Sequence, residues 1–367
     1  MKKWRNSLLL LSIIISIVVA LSIHQAKTKQ EIGIGVICDL TGVIAEYGTW
    51  VQNGVIIASE IINENDPFIN FYFEDGQSNV NKALGAFERF SSINNIHLII
   101  CGCNSSSIMS LSPKADSTKT ILFSTIASSP NMKETGEFVF SDRVLGTEET
   151  ECVANNLEQL GIKSIAIIAH NNEAGMPYID AFSNASKGKD INIVSKILVE
   201  PTSKDFRTEL IKLKSLNPDA VLLVTPVEQT LNFIKQAKDI SFTSKWLGIS
   251  TLKTDGFIKN GGNLVENVII ASESVEYTRS FIDFEIRYQR RFNEKPTVYA
   301  VNGYEAAMIF YTLIKKYGNN VSEIQKALYS EEFQTLFGKV FYDKNGIIHN
   351  KKVDLYEIRK GEFVKKE

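Results

Sequence analysis

A chain of 367 residues, 44% hydrophobic and 22% charged, is sized for two globular lobes rather than one small core. Its 40 Lys and Arg against 42 Asp and Glu leave a net charge of −2, with no basic block beyond the first few residues, which excludes nucleic acid as an implied partner. The 4 His stand far apart, and neither a Gly-x-Ser-x-Gly elbow nor a phosphate-binding P-loop occurs, so an enzyme is not expected.

Met1-Lys2-Lys3-Trp4-Arg5 followed by the apolar run Leu8 to Ile23 has the shape of a secretory leader, and the run is shorter than the ~20 residues of a comfortable membrane span. No cysteine near its end supports a lipid anchor. Ala26 is a candidate last residue for removal, but His24 sits where cleavage prefers a small residue. Residues 1–26 are therefore expected to be a signal peptide or an uncleaved anchor. The chain is expected to be exported, either periplasmic or tethered to the outer face of the cytoplasmic membrane by residues 8–23.

Cys101-x-Cys103 is tighter than a zinc knuckle and has no second pair or nearby His, so neither metal nor cofactor is expected. Cys38 has two readings, a disulfide to Cys101 or Cys103 in an oxidising compartment or a buried free thiol.

After the leader, Glu31 to Ile37 reads as a buried strand running into Cys38-Asp39-Leu40-Thr41-Gly42. Gly33-x-Gly35 lies inside that strand rather than in the turn after it, which argues against a dinucleotide fingerprint. A helix follows, with Val51, Val55, Ile56, Ala58, Ile61 and Ile62 as its apolar stripe. Ile69 to Phe73 is a strand, and about Asn81 to Phe90 a helix.

The stretch His97 to Pro130 then repeats one pattern twice. Leu98-Ile99-Ile100 is a short β-branched strand that opens into Cys101-Gly102-Cys103-Asn104-Ser105-Ser106-Ser107. A helix starting within those serines would have a hydroxyl as N-cap and free first-turn N–H groups that attract an anion. Ile121-Leu122-Phe123 repeats the strand and opens into Ser124 to Pro130. Two hydroxyl-rich loops at the carboxyl ends of consecutive parallel strands would share one crevice, where open α/β sheets bind ligands.

The alternation continues through strands at Phe138 to Phe140, Ser164 to Ala169, Asn192 to Val194, Ala220 to Val224, Trp246 to Ile249 and Val268 to Ile270. Helices fall between them and at Thr278 to Phe292 and Tyr299 to Tyr317. The tail reads as antiparallel hairpins: Lys339 to Asp343 turning at Lys344-Asn345-Gly346 toward Lys352 to Ile358, and a second turn at Lys360-Gly361. So many alternating elements demand an α/β architecture of two doubly wound parallel-sheet lobes.

Ile34-Gly35-Val36 with Leu40-Thr41-Gly42, Ala45, Tyr47-Gly48 and Asn53-Gly54 resembles the start of the branched-chain amino acid (Leu/Ile/Val) binding family of type I periplasmic binding proteins. The likeness continues through Glu74 to Ser78, Ser105 to Ser107, Ser124 to Pro130, Asp205-Phe206, Asn217-Pro218-Asp219, Gln236-Ala237, Tyr304-Glu305-Ala306 and Gly338 to Gly346. It implies two lobes joined by a three-crossing hinge, residues 30–144 plus 275–337 and residues 145–274 plus 338–367. They would close on a small molecule that is handed to the membrane permease and ATPase subunits of an ABC transporter.

The resemblance also implies a site. Ser105, with Ser106 beside it, and Ser128 would hold the ligand's carboxylate, the Ile126 carbonyl would accept from its ammonium, and Tyr47 would wall the side-chain pocket. The second lobe departs from the family pattern. Ala174 stands where an aromatic precedes Gly175, Thr225-Pro226-Val227 replaces further aromatics, and Ser250 stands where an acidic residue would pair with the ammonium. A buried ammonium without a counter-charge costs several kcal/mol, on the order of an unpaired buried ion. Either Glu173 or Glu228 substitutes, or the ligand is not a zwitterionic amino acid. His170, at a strand end, reads as a loop histidine or a ligand contact. The expected function is solute binding for import of an amino acid or a related small carboxylate or amide. The alternative is a tethered sensor that reports ligand to a signalling partner.

Overall fold

The computed structural model describes residues 31–171 and 175–366, so the expected leader, Glu173 and Ala174 lie outside the described residues. The first half is built from β1 (Ile32–Cys38), α1 (Ala45–Asn65), β2 (Ile69–Asp75), α2 (Val80–Glu88), β3 (Leu98–Gly102), α3 (Ser105–Thr118), β4 (Ile121–Ser124) and β5 (Val139–Ser141). The five strands form a parallel sheet in the order β2-β1-β3-β4-β5. β3 and β4 are buried along their whole length, as continuous apolar strands between two helix layers must be.

The second half comprises α4 (Gly146–Asn156), β6 (Ser164–His170), α5 (Gly175–Ala185), β7 (Asn192–Val199), α6 (Arg207–Leu216), β8 (Ala220–Val224), α7 (Val227–Asp239), β9 (Lys245–Ile249), α8 (Asp255–Gly261) and β10 (Ile269–Glu273). The chain then returns to the first lobe with α9 (Arg279–Phe292), α10 (Val298–Tyr317), α11 (Val321–Ser330), β11 (Phe333–Thr335), β12 (Gly338–Tyr342) and β13 (Ile348–His349), before β14 (Val353–Arg359) and β15 (Glu362–Lys365). The second sheet runs β15-β14-β10-β9-β8-β6-β7, parallel except for the antiparallel β14 and β15 at one edge.

α1 and α10 cross closely because each supplies a glycine at the contact. A Cβ on Gly54 would lie 1.9 Å from the Ala300 carbonyl oxygen, and one on Gly303 2.3 Å from that of Val51. Gly35 answers to packing as well: a Cβ there would meet the Phe90 ring at 2.7 Å. Cys38, Cys101, Cys103 and Cys152 are free thiols, the first three buried.

Two sequence expectations need correction. The Asn345-Gly346 turn joins β12 only to the two-residue β13, not to β14, which pairs instead with β10 and β15. Val340, Tyr342 and Ile348 consequently pack in the first lobe's core, while Leu355 and Ile358 pack in those of the second. The third crossing therefore falls between His349 and Val353, not at 337–338. The cause is the apolar face of β12, which is completed by β11 and Phe333 of the first lobe.

All three crossings meet in one buried ionic network. Arg143, 1% exposed on the first crossing, donates to Glu273 at the start of the second, and its Nη2 donates to Glu149 Oε1 at 2.8 Å and to the Ser250 hydroxyl. The Val144 N–H adds a 2.8 Å bond to Glu273 Oε1. Lys351, on the third crossing, donates to the Asp142 carbonyl and to Asn302 Oδ1 at 2.9 Å, with its Nζ 3.4 Å from Asp142 Oδ2. Burial alone would raise the Glu273 carboxyl, but Arg143 and Lys351 together outweigh it and hold it below its ordinary range. Asp142 goes the other way, pushed up to about 6 by burial despite Lys351.

Glu305 on α10 is buried beside this network and makes no salt bridge among the described residues, with Lys351 as a more distant cation. Burial pushes its carboxyl up to about 8 from 4.5, even though Oε1 accepts from the Leu336 N–H at 2.6 Å. The folded state thus binds the extra proton between those two values, and the stability that goes with it is lost as pH rises through about 8. Glu305→Gln, which mimics the protonated acid, is expected to melt with the wild type near pH 5 and above it beyond pH 8. Thermal unfolding of both proteins across that range checks this, and a constant offset at every pH would refute it.

Candidate functional site

A cavity of about 520 Å³ lies between the lobes, and its walls are the carboxyl ends of strands from both sheets. From the first lobe come Tyr47 after β1, Asn104, Ser105 and Ser106 after β3, and Ile126, Ala127 and Ser128 after β4. From the second come His170 at the end of β6, Tyr178 of α5, Thr225 to Gln229 after β8, and Ile249 and Thr251 around the end of β9. Tyr299 of α10 closes the wall next to the hinge.

The serine loop is built differently from expectation in one respect. The N-cap of α3 is Asn104, whose side chain accepts from the Ser107 N–H at 2.9 Å, not a serine hydroxyl. The carboxamide takes over capping, which leaves Ser105 and Ser106 on the cavity wall at the first helical positions, where backbone N–H groups have no intrahelical acceptor. The two loops also touch: the Ser129 N–H donates to Ser105 Oγ at 3.3 Å. Ser128 Oγ lies 2.5 Å from Tyr178 Oη, a hydrogen bond that spans the gap between lobes. Tyr178 approaches this closely because α4 starts with Gly146. A Cβ there would stand 1.3 Å from the Tyr178 ring.

Of the residues singled out in the sequence, Tyr47, Ser105, Ser106, Ile126, Ser128 and Pro226 are brought together on this one surface. Ser250 is not. It is fully buried behind the wall, taken up by the Arg143 guanidinium, and its neighbours Ile249 and Thr251 reach the cavity instead. The position expected to face an ammonium is thus occupied by hinge architecture. Tyr178, Tyr299 and Gln229 are cavity residues that the sequence reading missed, because each depends on how a helix of one lobe docks against the other. Arg143 was missed too, although Asp142-Arg143 directly after a buried strand is an unusual place for two charges.

The charge on the wall is slight. Glu46 and Glu228 are its ionisable acids among the described residues, both exposed, and neither Lys nor Arg lines it there. Glu228 is paired with Lys204 at 3.6 Å, its side chain 77% exposed. Glu46 is exposed as a residue but its carboxyl is partly desolvated, which, with Glu294 nearby, raises it. His170 Nε2 meets Gln229 Oε1, whose Nε2 donates at 3.0 Å to the carbonyls of Glu200, Pro201 and Ser203. Three carbonyls can only accept, so the amide nitrogen faces them and His170 donates from Nε2. Burial lowers the His170 pKa and favours the neutral ring.

Two doubly wound lobes joined by three crossings, with a cavity of strand ends between them, are the architecture of a two-lobed binding protein. The family model described as "Periplasmic binding protein" matches residues 31–362, and the chain belongs to that family. The Leu/Ile/Val-binding protein homolog 3 of Brucella melitensis is 22% identical over 371 residues, covering 96% of this chain and 99% of the relative. Among solved structures, the leucine binding protein LivK of Thermotoga maritima MSB8 superposes with a TM-score of 0.83 at 20% identity, over 92% of this chain and 98% of that one. The solute binding protein of an ABC transporter from Rhodopseudomonas palustris BisB5, in complex with 3,4-dihydroxybenzoic acid, gives 0.83 at 18% identity, over 91% and 95%. These structural likenesses bear on the fold alone.

Proposed function

We propose that the chain is the extracytoplasmic solute-binding component of an ABC importer, exported by residues 1–26 as a signal peptide or anchor. It closes its lobes on an amino acid or related small carboxylate or amide, which then passes to permease and ATPase subunits. One observation carries this reading: the start of α3 and the Ser105 and Ser128 loops stand on one wall of a cavity whose opposite wall belongs to the other lobe. Helix-start N–H groups and hydroxyls hold a carboxylate without a buried cation. The Leu/Ile/Val and dihydroxybenzoic acid in the relatives' names share that group, which supports the reading. No enzymatic role enters it.

Closure follows from contacts that exist only when both lobes touch the ligand. Ser128 and Tyr178 mark where the lobes meet once shut. The test is a thermal-shift panel of amino acids, amides, urea and aromatic carboxylates. A cognate ligand at a hundredfold excess over its Kd stabilises the folded chain by about 2.7 kcal/mol and raises the melting temperature by mass action. A panel in which no carboxylate or amide shifts the transition would sink the proposal.

A further inference from the structure

Helices of opposite lobes start at the two sides of the cavity. α3 begins at Ser105 and α7 at Val227, and both starts lie on its wall. The α3 start is the carboxylate seat proposed above. At α7 the preceding residue is Pro226, no side chain caps the helix, and the N–H groups of Val227, Glu228 and Gln229 have no intrahelical acceptor. The Glu228 carboxylate does not fill this place, since it is turned out toward Lys204.

An independent observation marks the same spot. Tyr47, from the first lobe, is 5% exposed and lines the cavity, yet its hydroxyl has no hydrogen-bond partner among the described residues. The Val227 N–H at the start of α7 approaches Oη without closing a hydrogen bond, and the phenol is raised by burial and by the neighbouring Tyr299 and Glu46. A buried hydroxyl without an acceptor is destabilising, and a ligand that supplies one removes the penalty. The free donors gathered here are a phenol O–H, backbone N–H groups and the positive end of a helix dipole, while the exposed Glu228 carboxylate is engaged by Lys204. An ammonium placed against these N–H groups would meet like polarity.

Resting on the reading of the cavity as a small-carboxylate site, we infer that Tyr47 and the start of α7 form a second acceptor subsite. The ligand is then a two-headed acid without an ammonium, one carboxylate on the Ser105 and Ser128 loops and a second carboxylate or carbonyl oxygen at α7. Ser250 fits this reading, since the position that would carry an ammonium's counter-charge is walled off by Arg143.

Calorimetric titration of the full chain with glutarate, valerate and leucine tests it, with terephthalate against 4-methylbenzoate as a rigid pair. In each pair the second carboxylate of the first compound is a methyl in the other. Glutarate is expected to bind at least about tenfold more tightly than valerate, as one charge-assisted hydrogen bond allows, and leucine more weakly than valerate. Tyr47→Phe keeps the ring packed against Trp50 and Tyr299. It should cost glutarate several-fold more affinity than it costs valerate and so narrow the gap between the two acids. Equal binding of the two acids by the wild type, an equal loss of both in Tyr47→Phe, or leucine as the tightest ligand overturns the second subsite while the carboxylate site stands. If no carboxylate of either series binds, the site itself fails and the subsite with it.

Discussion

Replacing Arg143 by Met is expected to lower the stability of the folded chain by about 3–5 kcal/mol, the cost of stripping the cation from a buried ion pair. The guanidinium is 1% exposed and serves Glu149, Glu273 and Ser250 at once, with its centre 5.5 Å from that of the Tyr299 ring. Without it, two buried carboxylates face each other with Lys351 as the remaining cation of the network, and Lys351 is committed to Asp142 and Asn302. The acids would take up protons on folding, so the deficit grows as pH rises. Chemical unfolding of the wild type, Arg143→Met and the triple variant Arg143→Met with Glu149→Gln and Glu273→Gln checks this. The triple variant should recover much of the loss, since it removes the stranded charges. A single variant that unfolds at the wild-type midpoint would show that the network contributes nothing to stability.

Truncating Ser105 and Ser128 together to Ala is expected to abolish ligand binding and leave the ligand-free melting temperature nearly unchanged. Each hydroxyl bonded to a carboxylate contributes roughly 1.5–3 kcal/mol, so losing two weakens binding on the order of a hundredfold or more. Their structural roles are slight by comparison. Ser105 accepts one 3.3 Å bond from Ser129, and the Ser128 bond to Tyr178 forms across the closing gap rather than inside either core. Calorimetric titration with whichever ligand the thermal-shift panel returns reads the affinity. Retained affinity in the double variant would remove the site assignment.

Legibility in the sequence followed the range of the interactions. β3 and β4 were readable because short β-branched runs bounded by polar loops leave few alternatives, and the start of α3 was placed within a residue of its position. The N-cap was misread because Asn104 and Ser105 are both good capping residues. The choice between them depends on which side chain the cavity leaves free. The lobe boundary was misplaced because Asn345-Gly346 signals a hairpin without saying how long its second strand runs. Ser250 was put on the ligand by position in the chain, whereas its contact is Arg143, more than a hundred residues away in sequence.

By itself the sequence determined the alternation of strands and helices, hence two parallel sheets, and the two hydroxyl-rich strand ends that face the cavity. These follow from local periodicity and from the few residue types that tolerate a strand-to-helix turn. Only the tertiary structure decided that three crossings share one buried ionic network, that Tyr178 and Tyr299 complete the wall, and that the Tyr47 hydroxyl has no hydrogen-bond partner among the described residues. Those are meetings between groups distant in the chain, fixed by how one lobe docks on the other, and no local pattern encodes them.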